Sequence, residues 1–272
     1  MRFVFMGTGT SAGVPIIGCR CEVCLSPDPR DRRLRTAACA MFTDAHGRER
    51  IVLLDAGPDL RQQALTLGLN RCDAILLTHN HVDHIFGLDE VRRFNALMRG
   101  PIDVFADEHT MQSVRRVYMH IFEREHNVND SFVATLIPHV VRPLEPFETF
   151  GLRVTPIPLL HGRLEMLGYR LDAGPGVSDP AGVLPLAYCT DVSAIPPRAW
   201  GVLAGVRTLV LDALRQRHHP THLTIDQAIG IAQRVNAEST YFVHMGHDVL
   251  HARVADELPD GIMLAHDGLT LG

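Results

Sequence analysis

The chain has 272 residues, 46 % of them hydrophobic and 21 % charged, with a formal net charge of -5 when histidine is neutral. That much apolar material supports one large core or two modest ones and excludes a disordered chain. The near-balanced charge recommends neither a nucleic-acid surface nor a membrane surface, so any polyanionic substrate must be held by local groups.

The N-terminus enters a strand-like run at 3–6 without a signal-type apolar region, and no later run approaches membrane-spanning length, which predicts a cytoplasmic address and no membrane partner. Three of the six cysteines follow in Cys19-Arg20-Cys21-Glu22-Val23-Cys24. This packing suggests metal ligation in a reducing compartment rather than a disulfide framework, with reduced thiols as the competing reading. Cys39, Cys72 and Cys189 stand in or beside apolar runs, where free cysteine acts as a small hydrophobe. Further strand-like runs occur at 38–43, 51–55, 74–78, 102–106, 152–157, 167–171, 186–190, 208–212, 240–243 and 262–265. Helical spacing of apolar residues appears at 59–67, 85–98, 108–124, 225–235 and 249–258. Many strands with helices outside them predict a layered α/β body, taken as a single domain over residues 1–272. The Gly-, Pro- and Asp-rich stretch 172–185 reads as a hairpin excursion, and the segment from about 108 to 132 as a helical insertion that walls or covers a pocket.

The densest chemical signal is Thr78-His79-Asn80-His81-Val82-Asp83-His84, directly after the apolar run 72–77. Within a helix, residues two apart fall on different faces, whereas a loop leaving a strand can fold His79, His81, Asp83 and His84 around one centre. Neutral imidazole suits zinc or manganese, and the carboxylate suits a harder second position. A histidine-rich surface turn is the alternative; the preceding strand, the spacing and the amphipathic pattern after it favour a built site. Further candidate ligands end other apolar runs: His161 after 154–160, Asp191 after 186–190 and His244 after 240–243. Strand ends are where a sheet makes distant side chains converge.

His79-x-His81-x-Asp83-His84, His161, Asp191 and His244, in that order, resemble the metallo-β-lactamase superfamily of binuclear hydrolases. Within it, the run from Met6 to Pro15, the trio Cys19, Cys21 and Cys24, and Val243-His244-Met245-Gly246-His247 resemble the PhnP branch, the phosphoribosyl cyclic phosphodiesterases. The resemblance spans most of the chain and implies a four-layer αββα sandwich with metals at one edge. It assigns His79, His81 and His161 to one divalent ion and Asp83, His84 and His244 to a second, manganese or zinc, with Asp191 and a hydroxide bridging them. Two cations lower the pKa of bound water and neutralise charge on phosphoryl oxygens. Asp83 is also expected to steer the nucleophile. The resemblance further implies a structural zinc on Cys19, Cys21, Cys24 and His247.

Asp55 resembles the superfamily's early aspartate, which hydrogen-bonds around the ligands; a plain strand-ending Asp before the Gly57-Pro58 turn competes with that role. His222 fits the position of the family's non-ligand histidine and is read as the general acid, against the alternative of a solvated turn in which His218 and His219 are bystanders. Asp212 ends a strand near the same edge and either joins the site or organises the loop to His222. Gly7-Thr8-Gly9 lacks the full glycine fingerprint of a phosphate loop and reads as a tight strand exit. Surface or helix-face positions suffice for His46, His109, His120, His126, His139 and His251. His266 stands where related chains carry an aromatic residue, and its role stays open.

The implied activity is metal-dependent hydrolysis of a small cyclic phosphate, such as 5-phosphoribosyl 1,2-cyclic phosphate or a 2',3'-cyclic nucleotide. A tRNase Z-like RNA-processing phosphodiesterase and a non-hydrolytic cofactor-biosynthesis protein are the alternatives. No long basic insertion recommends nucleic acid as the partner, and a homodimer is suggested by the resemblance alone.

Overall fold

The computed structural model describes residues 1–123 and 132–272. Its first sheet contains β1 (Arg2–Gly7), β2 (Ala37–Thr43), β3 (Glu49–Leu54), β4 (Ala74–Leu76), β5 (Ile102–Ala106) and β6 (Leu136–Val140), with β14 (Thr270–Leu271) beyond β1. The second contains β7 (Phe147–Thr149), β8 (Leu152–His161), β9 (Leu164–Ala173), β10 (Leu186–Cys189), β11 (Thr208–Asp212), β12 (Ser239–Val243) and β13 (Ile262–Leu264). Strand order is β14-β1-β2-β3-β4-β5-β6 in one and β13-β12-β11-β10-β9-β8-β7 in the other. Pairing is antiparallel from β14 to β3 and parallel from β3 to β6. The second sheet mirrors this, antiparallel from β7 to β10 and parallel from β10 to β13.

Both sheets are covered on both faces, which is why their central strands are near-continuous apolar runs instead of alternating ones. In β1, Phe3 and Phe5 point between the sheets while Val4 and Met6 point outward. In β3, Val52 and Leu54 face inward and Ile51 and Leu53 outward; in β11, Val210 faces inward and Leu209 and Leu211 outward. The outward face of the first sheet is covered by α1 (Leu60–Thr66), α3 (Arg92–Met98) and α4 (Glu108–Val117), through Leu60, Phe94, Met111 and Val114. The second is covered by α6 (Trp200–Leu203), α7 (Ile225–Val235) and α8 (His251–Ala255), through Leu203, Ala228, Ala232 and Val254. Helix, sheet, sheet, helix is the αββα sandwich expected from the sequence.

Two helical expectations are corrected. The pattern at 85–98 is not one helix: α2 (Val82–Ile85) ends there, and α3 starts only at Arg92. Gly87 gives the reason, because a Cβ on it would sit 2.1 Å from the Gly57 carbonyl oxygen; backbone packs on backbone there, and a continuous helix would not allow it. The insertion is two helices, α4 and α5 (Met119–Phe122), joined at Tyr118, whose hydroxyl donates to the Ile85 carbonyl at 2.9 Å. Residues 132–135 are not helical, and the remainder of that segment, with His126, lies outside the described residues. No helix among the described residues is long and apolar enough to cross a membrane.

Candidate metal centre

The chemistry-bearing side chains collect where strands of both sheets end. β3 delivers Asp55, β4 leads into His79 to His84, β8 ends on His161, β10 is followed by Asp191, β11 ends on Asp212, and β12 is followed by His244. Two contacts close the sheets on each other here: Leu167 donates its N–H to the Thr78 carbonyl at 3.0 Å, and the Tyr169 hydroxyl donates to the Leu77 carbonyl at 2.6 Å. Asp55, Asp191 and His244 all adopt left-handed backbone conformations, with φ of 66°, 57° and 59°. For non-glycine residues that is sparsely populated, and its recurrence at one edge marks turns whose side-chain direction is fixed by the surroundings.

His79 and His81 lie in the loop after β4, as the spacing argued, whereas Asp83 and His84 sit on the single turn of α2. That turn rests directly on the 55–58 bend: a Cβ on Gly57 would approach the Asp83 carbonyl oxygen to 1.9 Å. Two donor sets result. One ligand atom from each of His79, His81 and His161 lies within 4.8 Å of the others, and the same holds for Asp83, His84, Asp191 and His244. Asp191 joins the sets through one atom. Its Oδ2 is 3.3 Å from His84 Nε2, 3.2 Å from His244 Nε2 and 3.9 Å from His79 Nε2, while Oδ1 accepts from the Thr190 hydroxyl at 2.7 Å.

Three of the imidazoles are oriented from behind. His84 Nδ1 is 2.7 Å from Asp55 Oδ2, His161 Nδ1 donates to the Thr221 carbonyl at 2.8 Å, and His79 Nδ1 is 2.9 Å from the Thr78 hydroxyl. Asp55 also accepts from the Thr78 N–H at 2.8 Å, so it is more than a strand-ending residue. Pinning one ring nitrogen leaves the other directed at the centre. The Nε2 atoms of His79, His84 and His244 are buried without a hydrogen-bond partner. Although carboxylate oxygens stand close, none of these contacts has hydrogen-bond geometry. Buried, unpartnered nitrogens converging beside two carboxylates are a donor set suited to divalent ions.

The electrostatics agree. Burial opposes ionisation of Asp191, yet His244 and His84 hold its carboxyl well below the usual range, and Asp83 is likewise depressed by the same two rings. Burial also opposes charge on His84 and His244, but Asp191 and its neighbouring carboxylates overcome it and raise both. His79 is pushed well below its ordinary value by burial, then by the charge of His84, and burial lowers His161 to about 4. The second set is therefore an anionic pocket neutralised by protons, and cations can displace those protons.

His222 stands beside both sets. Its ring stacks on His244 at 4.6 Å and meets His161 edge-on at 4.7 Å. Asp212 Oδ1 lies 3.1 Å from His222 Nδ1 and 3.4 Å from His244 Nδ1, and Oδ2 accepts from Leu223 N–H at 2.9 Å. Asp212 thus both joins the site and organises the loop. His219 lies against the loop, its ring 5.0 Å from that of His222 and its Nδ1 3.1 Å from the Thr221 hydroxyl, outside both donor sets. His251 is buried instead of surface-placed. Thr78 and Thr190, each directly before a strand-end ligand, are the residues that sequence reasoning missed, and their adjacency to His79 and Asp191 was the available signal.

Cys19, Cys21 and Cys24 close on His247 Nδ1 at 3.2, 3.6 and 3.7 Å. A tetrahedral zinc with ordinary Zn–S and Zn–N bonds would separate sulfur from nitrogen by about 3.6 Å, so the cage fits. The Cys24 N–H lowers the Cys21 thiol to about 7, whereas burial lifts Cys24 to about 11. Burial pushes Cys39 and Cys189 up to about 12 and raises Cys72 well above its ordinary value, as expected of inert core thiols.

Residues 50–245 match the family described as β-lactamase superfamily domain. A crystal structure described as a new diphosphatase from the PhnP family is 40 % identical, superposes with a TM-score of 0.86, and is matched over 100 % of this chain and 97 % of that one. An octanoyltransferase of Porphyromonas gingivalis is 35 % identical over 99 % of this chain, which spans only 51 % of that protein's length. Coenzyme PQQ synthesis protein B of Methylobacterium nodulans is 27 % identical over 78 % of this chain and 72 % of its own. With its strand-end donors and the cysteine cage accounted for, the chain belongs to the metallo-β-lactamase superfamily, in its PhnP-like branch.

Proposed function

We propose that the protein is a two-metal phosphodiesterase acting on a small cyclic phosphate, the five-membered ring of 5-phosphoribosyl 1,2-cyclic phosphate or of a 2',3'-cyclic nucleotide. The observation that carries this reading is the single oxygen, Asp191 Oδ2, facing imidazoles of both donor sets while His222 stacks beside them. His79, His81 and His161 would hold one divalent ion and Asp83, His84 and His244 the other, with Asp191 shared; manganese and zinc both suit these donors. Bound there, such ions supply a nucleophilic water at neutral pH and offset the charge that grows on phosphoryl oxygens.

The remaining work falls to the chain itself. Ring opening expels an alkoxide, and His222, whose Nδ1 is engaged by Asp212, presents Nε2 as proton donor to that oxygen. Proton donation of this kind contributes roughly 10²- to 10⁴-fold. Asp83, at the mouth of its set, orients the attacking water. Cys19, Cys21, Cys24 and His247 would hold a structural zinc, four protein donors being enough to fill its shell. Acyl transfer, named for the P. gingivalis relative, is not carried over, since this chain spans only 51 % of that protein.

The test is turnover by metal-reconstituted protein of ribose 1,2-cyclic phosphate, 2',3'-cyclic nucleotides, linear bis-esters, a phosphoanhydride and precursor tRNA, with Asp191→Ala as control. Activity on the cyclic esters that vanishes in the control is expected. Activity confined to precursor tRNA would favour an RNA-processing enzyme, and metal binding without hydrolysis a cofactor-biosynthesis role. For the acid, His222→Ala should lose far more activity on a poor leaving group than on a good one; equal losses with metal retained would remove His222 from that role.

A further inference from the structure

Behind the metal edge lies a buried ion pair with no part in the donor sets. Arg33 is 1 % exposed, and its Nη2 is 3.0 Å from Asp31 Oδ1, on a residue equally buried. Nη1 donates to the Gly246 carbonyl at 3.2 Å and Nη2 to the Val249 carbonyl at 2.8 Å. Asp31 Oδ1 also accepts from the His251 N–H at 2.8 Å. The guanidinium therefore grips the turn on both sides of His247, the nitrogen donor of the cysteine cage, three residues beyond His244. Arg33 is itself fixed, exchanging backbone hydrogen bonds with Val14 at 2.8 Å in each direction. Val14 packs with Val23 and Cys24 beside the cage.

As a source of stability this pair is poor. Arg33 Nε and Asp31 Oδ2 are buried without hydrogen-bond partners, and apolar residues commonly replace such pairs at no loss. Its geometry explains it better. His244 holds a left-handed backbone at φ 59°, which persists only where the surroundings over-determine it. Met245 is pinned on one side, donating to the Thr8 carbonyl at 3.0 Å and accepting from the Thr10 N–H at 3.1 Å; Arg33 secures the chain just after it.

We propose that Arg33, braced by Asp31, is a positioning residue that locks the turn from His244 to Val249 and so couples metal retention in the cysteine cage to metal retention at His244. This rests on reading His244 as a metal donor, and it does not depend on the substrate.

Titration with cobalt(II) alone tests it, because a three-thiolate site gives intense sulfur-to-metal absorption and a nitrogen–oxygen site only weak visible bands. The double variant Asp31→Asn/Arg33→Met removes the clamp without stranding a charge. It should bind cobalt at the metal edge about tenfold more weakly, the low end for lost supporting contacts, and its thiolate band should weaken in step. Arg33→Lys, reaching fewer carbonyls, should fall between the double variant and wild type. Leu203→Ala, a core truncation on α6, should leave both signals unchanged at matched loss of thermal stability. Cys21→Ser, with Arg33 intact, should also weaken the edge site, which keeps the test decisive if the double variant does not fold. Variants matching wild type at both sites, or losing only the thiolate band, would overturn the coupling. A wild type with no cobalt at the edge would instead overturn the metal reading of that edge, and this proposal with it.

Discussion

Asp55 carries more of the metal edge than its distance from the centre suggests. It is fully buried, accepts from the Thr78 backbone and hydroxyl, and holds His84 Nδ1 at 2.7 Å. Burial raises its pKa, against the opposing pull of His84 and Thr78. Asp55→Asn preserves shape but weakens the bond that aims His84; we expect metal affinity to drop about 10- to 100-fold with the fold retained, read by competition with a chelating dye. Unchanged affinity would reduce Asp55 to turn chemistry. At this scale the donors themselves were legible, since histidine and aspartate after apolar strands are conspicuous. Partners that depend on distant segments were not. Nothing near Arg33 in the sequence points to the carbonyl of Gly246, and His251 reads as a helix-face residue until Asp31 is seen beneath its N–H.

Among the elements, β5, β11 and α7 have the bounds their patterns predict. Both faces of these strands are covered, and α7 opens with a capping box in which the Thr224 hydroxyl accepts from Gln227 N–H and the Gln227 side chain accepts from Thr224 N–H. Thr224→Ala should cost about 1 kcal/mol, seen as a lower urea midpoint. Because Thr224 follows His222 by two residues, the same variant should slow turnover modestly, whereas a twofold or smaller change would place the loop's order in Asp212 alone. Of the four edge strands only β13 was read, as the run at 262–265. β6 contains Pro138 and His139 and is half exposed, β7 has three residues and β14 two, so none offers a run that periodicity can register. The pattern at 85–98 misled for a different reason: both pieces bury the same face, and only the backbone contact at Gly87 separates them.

For the molecule as a whole, the raised pKa values of His84 and His244 set two opposite pH dependences. In the chelated protein their protonation stabilises the fold; that contribution is complete below the unfolded value of about 6.5 and is lost as pH rises through the folded values. Metal affinity runs the other way, tightening as the protons leave. Denaturation midpoints of chelated protein should therefore fall from about pH 6 to about pH 9 while metal dissociation constants shrink over the same interval. Parallel trends would show that these rings are not the metal's competitors. His251 adds an acid-side loss: burial, then Arg30 and Arg33, lower it to about 4, so stability declines as pH falls from 6.5 toward that value.

Two donors of the first set and two of the second come from the loop and α2 that follow β4 in the first sheet, and the rest from the ends of β8, β10 and β12 in the second. Cations at this edge would act as rivets across the seam between two halves otherwise joined by greasy contact and a few polar bonds. Stripping them should let the rim gape, and amide exchange at Thr78 and Leu167 would quicken before the interior responds.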